Sequence, residues 1–255
     1  MAHPSTRDIN LDDPSTAAIH RQLIQSKPFL RRIYDEWYSL LKSDLPVGRG
    51  EVLELGSGAG FLSEYIPGLL TSEIAPSPRV RLALDGQQMP LADGALRAIV
   101  MTDVFHHIPN VRRFLAESAR TVRSGGIVAM VEPWHSRWAN WVYTRFHHEP
   151  FRPDTREWEF ATRGPLSGSN QALAWVVFKR DRAVFEAQFP QWTIETLQPF
   201  MPFRYLISGG VSMRSMAPGF SFCVIKAMEK PVAKSMAMFA HIVLRRTDVP
   251  SGRSA

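Results

Sequence analysis

The stretch Glu51–Phe61 is the sequence feature that most constrains the fold. It reads Glu-Val-Leu-Glu-Leu-Gly-Ser-Gly-Ala-Gly-Phe, a short apolar strand followed by glycines at positions 56, 58 and 60. Glycine lets a backbone turn tightly and approach a ligand closely, because it has no Cβ. The N–H groups at the start of a helix favour a polar or anionic ligand group. An ordinary loop between a strand and a helix is the alternative that the glycines alone leave open.

Two details separate this loop from a dinucleotide-binding fingerprint. That fingerprint, G-x-G-x-x-G, needs a third glycine for close packing of helix on strand, and Phe61 stands in its place. The acidic Glu54 ends an otherwise apolar strand, where a carboxylate is costly to bury unless a cation or several donors meet it. A positively charged, zwitterionic ligand would meet it.

The segment Val52–Gly60 resembles motif I of the class I S-adenosylmethionine-dependent methyltransferases. The resemblance extends over residues 50–133. Within it, His-His-Ile-Pro109, Arg-Ser-Gly-Gly126 and Glu132-Pro133 resemble the small-molecule branch called type 11. The resemblance implies S-adenosylmethionine as the cofactor and a Rossmann-like fold.

Apolar runs alternate with helical patterns along most of the chain. Seven strands are predicted, at 52–55, 69–74, 80–84, 96–102, 127–132, 192–197 and 238–244. Such alternation predicts an α/β fold with a doubly wound, mostly parallel sheet, whose ligands bind outside the carboxyl ends of the strands. Prolines at positions 76 and 78 disfavour a helix between the second and third strands.

Acidic residues fall at the ends of five predicted strands, at positions 54, 73, 85, 103 and 132. Glu73 lies 19 residues after Glu54, close to the interval at which α/β nucleotide sites place a ribose-binding carboxylate. By the resemblance, the Asp85 carboxylate accepts from the adenine amino group and the Gly86 N–H donates to a ring nitrogen. The predicted cofactor site is Glu54, Gly56, Ser57, Gly58, Gly60, Glu73, Asp85, Gly86, Thr102 and Asp103.

The region 134–190 is irregular and aromatic-rich, and holds five of the seven tryptophans. In the resembling fold, an insertion after the fifth strand hangs over the cofactor's methyl group, so this region is the candidate substrate cap. Aromatic side chains there could stack on a substrate or simply fill a core. The predicted substrate-binding residues are Trp134, His135, His147 and His148.

Methyl transfer to a hydroxyl needs a general base, and histidine is tuned for that near neutral pH. His106 and His107 follow the fourth strand and are the predicted catalytic residues, with His135, His147 and Glu149 as rivals. The cluster 147–149 also suggests a metal. Adjacent histidines cannot readily share one face, however, and no third histidine has regular spacing, so no metal is predicted.

Composition limits the organisation and location of the protein. Its 255 residues are enough for one large α/β domain. We expect a flexible arm over 1–15, one domain over 16–246 and a disordered tail over 247–255. Within the domain we expect an N-terminal helical lid (16–44), the cofactor core (50–133), the cap (134–190) and C-terminal strands and a helix (191–246). A polar start and the lack of a membrane-length apolar run predict a cytoplasmic protein without a transmembrane segment.

The predicted function is methyl transfer from S-adenosylmethionine to a small-molecule or carbohydrate-like acceptor, at a hydroxyl, by in-line displacement. The net charge of +6 comes from scattered basic residues and indicates a solvated surface. Nucleic acid is an improbable substrate, because Asp103-Val-Phe-His106 lacks the [DNS]-P-P-[FYW] motif of amino methyltransferases. A catalytically inactive binding or scaffold protein and a nicotinamide-dependent oxidoreductase are the alternatives. The oligomeric state is left open.

Overall fold

A seven-stranded sheet forms the centre of the computed structural model, which describes residues 16–147, 149–162 and 168–248. The strands are β1 (Glu51–Leu55), β2 (Leu70–Glu73), β3 (Leu82–Ala83), β4 (Leu96–Thr102), β5 (Val122–Pro133), β6 (Trp192–Phe200) and β7 (Phe239–Arg246). Their order across the sheet is β3-β2-β1-β4-β5-β7-β6. Neighbours from β3 to β5 are parallel, and β7 runs antiparallel to both β5 and β6. The predicted mostly parallel, seven-stranded, doubly wound sheet is confirmed.

Helices connect and flank these strands. The α-helices are α1 (Thr16–Ser26), α2 (Pro28–Asp44), α3 (Val111–Thr121), α4 (Arg137–Phe146), α5 (Leu173–Trp175), α6 (Arg182–Gln188), α7 (Arg204–Ser208), α8 (Phe222–Glu229) and α9 (Ala233–Met236). Shorter turns of 3₁₀-helix lie at Leu62–Glu64, Phe105–His107, Gly219–Ser221 and Lys230–Val232, and Val176–Arg180 is a π-helix. No helix of the described residues is long and apolar enough to cross a membrane.

Helix α2 joins the N-terminal helices to the core through one apolar face. Pro28 occupies its first turn, where the missing N–H costs nothing. The buried residues of α2 recur at helical spacing, and they are Phe29, Leu30, Ile33, Trp37, Tyr38 and Leu41. Each such burial is worth about 1.5–3 kcal/mol. Trp37 contacts the rings of Tyr205 and Phe239, so α2 packs on α7 and on β7 together.

Strands β1 to β4 bring their carboxyl ends to one edge of the sheet. Leu55 pairs with Met101, and Glu73 pairs with Ala83, so the ends of these strands stay level. Residues 74–81, all of them described, cross from β2 to β3 without a helix, as the prolines predicted. Because no helix fills this crossing, space remains above the carboxyl ends of the strands.

Several elements differ from the sequence prediction, and three of the differences are informative. Strand β5 begins at Val122, five residues before the predicted start at Ile127, because the chain runs through a bulge beside β4 before regular pairing resumes. Residues 172–189 read as one helix in the sequence, but the structure breaks it at Asp181, whose carboxylate accepts the indole N–H of Trp158 at 2.9 Å. The short helix α7 was missed, because five residues carry too little periodicity to be recognised.

Candidate active site

A cavity of about 790 Å³ opens at the carboxyl ends of the parallel strands. Ligand pockets in proteins span about 300–1,000 Å³, so its size suits a small organic ligand. Walls come from the glycine loop 56–60, the N-terminal helices, the end of α4 and the segment 205–213. The predicted cofactor residues that line it are Glu54, Gly56, Ser57, Gly58, Gly60, Glu73, Asp85, Gly86, Thr102 and Asp103.

The glycine loop forms the cavity floor next to β1. Gly56 and Gly58 have φ of 64° and 42°, the left-handed region that favours glycine. A Cβ on Gly56 would lie 2.5 Å from Val104 Cγ2, and one on Gly58 would lie 3.4 Å from the Glu73 carboxylate. The loop is thus held close to both β2 and the chain after β4, and only small side groups fit it.

Glu54 is buried at the end of β1. One of its carboxylate oxygens accepts from the Ser57 hydroxyl at 2.7 Å. Burial raises the pKa of Glu54 to about 7; the Ser57 hydrogen bond opposes this shift, and the neighbouring Glu73 charge adds to it. The site therefore holds a carboxyl group that a cationic ligand would convert fully to carboxylate.

Glu73 ends β2 and faces the glycine loop. Its carboxylate accepts the backbone N–H of Gly58, which fixes the position of one oxygen. Burial raises the pKa of Glu73, although backbone hydrogen bonds oppose the shift. Because a carboxylate has about four lone-pair positions, this one can still accept from two hydroxyls of a diol.

Asp85 lies just after β3, and Gln87 holds it in place. The Asp85 carboxylate accepts from the Gln87 backbone N–H at 2.8 Å and from its side-chain amide at 3.1 Å. The side-chain oxygen of Gln87, Oε1, in turn accepts from the backbone N–H of Asn110 at 3.1 Å. Sequence reasoning missed Gln87; the signal was available, since Asp often bonds to the backbone two residues on in an Asx-turn.

Thr102 and Asp103 form the wall where β4 ends. Asp103 has a φ of 62°, in the left-handed region that few residues other than glycine adopt. Burial raises its pKa to about 7, against the opposing charge of His106. The Thr102 hydroxyl is buried and has no hydrogen-bond partner among the described residues. Both residues leave polar groups at the cavity wall.

Glu132, at the end of β5, is fully buried and organises the chain after β4. One carboxylate oxygen accepts the backbone N–H groups of Val104 and Phe105, both at 2.7 Å. The other lies 2.8 Å from Nδ1 of His106. The sequence identified Glu132 as an acidic strand end, and the structure shows that it lies away from the cavity and holds His106 and the start of the turn that carries both histidines.

The predicted catalytic histidines lie on either side of one carboxylate. His106 is 1% exposed and off the cavity wall, and its Nε2 lies 3.4 Å from Glu149. His107 lies on the wall, with Nε2 3.5 Å from the other Glu149 oxygen and Nδ1 3.3 Å from the Gly168 carbonyl oxygen. Burial lowers the pKa of His107 to about 4, and the charge of His106 adds to this. Burial also disfavours the His106 imidazolium, but hydrogen bonds to Glu132 and Glu149 carry its pKa well above the usual value.

Of the predicted substrate residues, the structure brings one described side chain to the cavity. His147 lies on the wall and contacts the Gln171 amide, at 3.0 Å from Nδ1. Trp134 is buried away from the wall, and its backbone N–H donates to the Met238 carbonyl oxygen at 2.8 Å. His135 packs instead on Trp175, with ring centroids 4.4 Å apart. His148 lies outside the described residues.

Two further parts of the wall were not predicted. The tyrosines Tyr143 and Tyr205 face the cavity from α4 and α7. The turn 209–213 follows α7, and the ammonium of Lys27 donates to the carbonyl oxygens of Gly210, at 2.7 Å, and Met213. Adjacent glycines at 209 and 210 favour a turn, yet nothing in the sequence indicates that this turn reaches the strand ends.

Comparison with known proteins gives a family match and structural neighbours. Residues 53–130 match the model of a methyltransferase domain family, type 11. A search of curated protein sequences finds no match. A chain in the complex of the Haloferax volcanii Trm112 methyltransferase activator with a methyltransferase superposes with a TM-score of 0.55 at 11% identity, covering 94% of this chain and 100% of that one.

Two other solved structures are similar in fold. Geranyl diphosphate C-methyltransferase from Streptomyces coelicolor A3(2), in complex with Mg²⁺, geranyl diphosphate and S-adenosyl-L-homocysteine, gives a TM-score of 0.52 at 12% identity, covering 86% of this chain and 81% of that one. A geranyl diphosphate methyltransferase in complex with SAM gives 0.52 at 13% identity and covers 93% of each chain.

The matched segment contains the glycine loop, the crossing from β2 to β3 and the end of β4, all of which meet at the cavity. The structural neighbours share the sheet that carries them. Residues 53–130 therefore match the type 11 methyltransferase domain family, and the chain around them has the fold of solved S-adenosylmethionine-dependent methyltransferases.

Proposed function

We propose that the protein transfers the methyl group of S-adenosylmethionine to a hydroxyl of a small-molecule or carbohydrate-like acceptor. The acceptor oxygen forms the new O–C bond as the S–C bond breaks, its proton leaves to solvent, and S-adenosylhomocysteine is released. The sulfonium is itself a good leaving group, so the enzyme's tasks are alignment of the two reactants and exclusion of water.

The cofactor is assigned to the glycine-loop side of the cavity. Glu54 meets the cationic methionine end, Glu73 accepts from the ribose diol, and Asp85 with the Gly86 N–H meets the adenine. Gly56, Ser57, Gly58 and Gly60 let the backbone come close to the ligand. The unpartnered Thr102 hydroxyl and the side chain of Asp103 face the space between this side and the acceptor side.

One observation carries the acceptor assignment. The same cavity that holds the acidic strand ends also has a wall of ionisable groups, formed by His107, His147 and Glu149. These groups suit an oxygen nucleophile that must lose a proton. His107 touches the acceptor in this arrangement, whereas the buried His106 acts through Glu149 as a positioning residue.

Aromatic side chains give the acceptor side its shape. Tyr34, Tyr143 and Tyr205 line the cavity and offer flat faces with polar ends. Such surfaces fit sugar rings and planar small molecules. A scaffold protein without turnover is the less favoured reading, because the cavity is open and its cofactor side keeps every acidic residue expected there.

Calorimetric titration of the purified protein with S-adenosylmethionine, S-adenosylhomocysteine and NAD tests the cofactor. We expect saturable binding of the two adenosyl ligands and none of NAD. Binding of NAD alone would overturn the assignment, and absence of all three would move the scaffold reading to first place.

The acceptor is tested by measuring S-adenosylhomocysteine formation across a panel of small alcohols, phenols and saccharides, each paired with its methyl ether as a control. We expect turnover with a hydroxyl compound and none with its ether. Equal rates for a hydroxyl compound and its ether, or turnover confined to amines, would contradict transfer to oxygen.

A further inference from the structure

Two imidazole nitrogens and one carboxylate converge at the edge of the cavity. His106 Nε2 lies 3.4 Å from one oxygen of Glu149, and His107 Nε2 lies 3.5 Å from the other. The three ligand atoms lie within 4.8 Å of one another. His107 and Glu149 belong to the cavity wall, while His106 closes the cluster from behind.

Each of the three side chains is oriented by a second partner. The Nδ1 of His106 lies 2.8 Å from Glu132, and that of His107 lies 3.3 Å from the Gly168 carbonyl oxygen. Both partners are acceptors only, so each Nδ1 carries a proton and, in the neutral ring, each Nε2 has a lone pair; an ion would displace the second proton of His106, which Glu149 accepts without it. Glu149 accepts the side-chain amide of Gln171 at 2.8 Å. Metal-binding histidines are held in the same way, by a carboxylate or a backbone carbonyl on the far nitrogen.

The spacing of these atoms fits an ion between them. Ligands about 2.1 Å from a tetrahedral ion lie about 3.4 Å from one another. His106 Nε2 lies at this spacing, 3.4 Å, from one Glu149 oxygen, and His107 Nε2 lies 3.5 Å from the other oxygen of the same carboxylate. The geometry points to a binding site for a divalent transition-metal ion formed by His106, His107 and Glu149.

Adjacent histidines usually point away from each other, and local structure explains why these two do not. The turn Phe105–His107 is a 3₁₀-helix whose N–H groups are held by Glu132, and it stacks the two rings 4.2 Å apart. The partner carboxylate comes from a different element, after α4. Gln171 donates to Glu149, and its buried side-chain oxygen, Oε1, has no hydrogen-bond partner among the described residues. A water on the ion would satisfy it.

The donor set selects the kind of cation. Two imidazoles and one carboxylate suit Zn²⁺, Fe²⁺, Co²⁺ or Mn²⁺, whereas Mg²⁺ and Ca²⁺ prefer sites made of oxygen alone. Three protein ligands leave positions open toward the cavity, as in catalytic rather than structural sites. Resting on the proposed function, the ion would bind the acceptor hydroxyl and favour loss of its proton to solvent.

Metal binding is measured directly, without the cofactor. Protein made without a histidine tag is stripped with chelator and titrated with Co²⁺ and Zn²⁺, with absorption spectra and calorimetry as readouts. We expect one Co²⁺ per chain with the visible bands of a four- or five-coordinate site, displacement by Zn²⁺, and no displacement by Mg²⁺.

Variants locate the ion. His107→Gln and Glu149→Gln should each weaken Co²⁺ binding by about 100-fold or more, since even the loss of an outer partner costs about 10–100-fold. His135→Gln removes an imidazole that packs on Trp175 and should leave the affinity unchanged. Circular dichroism and S-adenosylmethionine affinity check that each variant is folded.

Equal Co²⁺ affinity in all three variants, or a spectrum of hexa-aqua cobalt, would overturn the metal site. Neither result would touch the proposed function, which fails only if S-adenosylmethionine does not bind or no hydroxyl compound is methylated. The two proposals can therefore fail separately.

Discussion

At the scale of single residues, the cofactor side of the cavity depends on where the backbone can bend and where a charge can be placed. The glycines at 56 and 58 adopt left-handed conformations beside Val104 and Glu73. The Glu54 carboxylate is buried next to this loop, and the half-buried Glu73 carboxylate accepts the Gly58 N–H. The space that a ligand needs and the charge that attracts it thus depend on the same few residues. One substitution tests the space, and another tests the charge.

Gly58→Val should abolish binding of S-adenosylmethionine, because the added methyl groups would fill the space beside the Glu73 carboxylate. The left-handed conformation adds about 1–2 kcal/mol of strain to any such substitution. Gly68→Val is the matched control, since Gly68 has a φ of 78° and nothing within 4 Å of an added Cβ. Urea unfolding and calorimetry should show both variants destabilised and only Gly58→Val unable to bind. Retained affinity in Gly58→Val would remove the loop from the site.

Affinity for S-adenosylmethionine should rise with pH. Burial raises the pKa of Glu54 to about 7, so the group is mostly protonated at pH 6 and mostly ionised at pH 8. Only the ionised form attracts a cationic ligand, and affinity should increase about tenfold from pH 6 to pH 8. Calorimetry at several pH values measures this. Glu54→Gln should bind more weakly with no such slope; the same slope in this variant would assign it to another group.

At the scale of elements, the unpredicted helix α7 brings the turn 209–213 to the cavity. Arg204, at its first position, is 3% exposed and pairs with Glu36 of α2 at 2.6 Å and with Glu229 of α8. Glu229 also accepts the N–H groups of Phe203 and Arg204, at 2.8 and 2.7 Å. One buried network therefore links α2, α7 and α8, and it holds α7 where the turn 209–213 lines the cavity.

Arg204→Met should cost about 3–5 kcal/mol of folding free energy, because it leaves the buried Glu229 carboxylate without its cation. Lys226→Met removes a neighbouring contact to the same Glu36, at 2.8 Å, but Lys226 is 47% exposed. That change should cost under about 1 kcal/mol. Urea unfolding of both variants measures the difference. Equal losses would mean that the Arg204 network adds no more than a surface ion pair.

The sequence predicted the helices and strands whose apolar side chains recur at regular spacing, and it missed those without such a pattern. The N-terminal helices over 16–44 and the strands β1 and β4 were predicted, because helical spacing and short apolar runs can be recognised in the local sequence. The break at Asp181 depends on the indole of Trp158, 23 residues away. Helix α7 depends on carboxylates of α2 and α8. Local sequence carries no record of such partners.

At the scale of the whole molecule, the N-terminal helices, the sheet and the cap region share one hydrophobic core. The cavity lies where these parts meet, with Tyr34 and Tyr38 from α2, Tyr143 from α4 and Tyr205 from α7 on its wall. A ligand bound there contacts every part and should stabilise them together.

Unfolding should therefore follow one cooperative transition that S-adenosylmethionine shifts upward. At 100 times its dissociation constant a ligand adds about 2.7 kcal/mol. For a chain of this size that corresponds to a rise in melting temperature of about 5–10 °C. Differential scanning calorimetry measures it, with NAD as the control that should cause no shift. Two separate transitions, only one of them sensitive to the ligand, would show that the cap or lid unfolds on its own.

The sequence by itself determined the side of the cavity that we propose for the cofactor. Strand, glycine loop and acidic strand ends are contiguous or regularly spaced, and parallel strands bring their carboxyl ends together whatever the rest of the chain does. Glu54, Glu73 and Asp85 could therefore be placed at one edge before any coordinates were known, and all three line the cavity.

Only the tertiary structure decided the side of the cavity that we propose for the acceptor. It placed His107 and His147 on the wall, buried Trp134, turned His135 onto Trp175, and set Glu149 between His106 and His107. These positions follow from contacts between segments far apart in the chain, in which packing and buried charge outweigh local preference. No periodicity encodes them, because each depends on what the rest of the fold brings alongside.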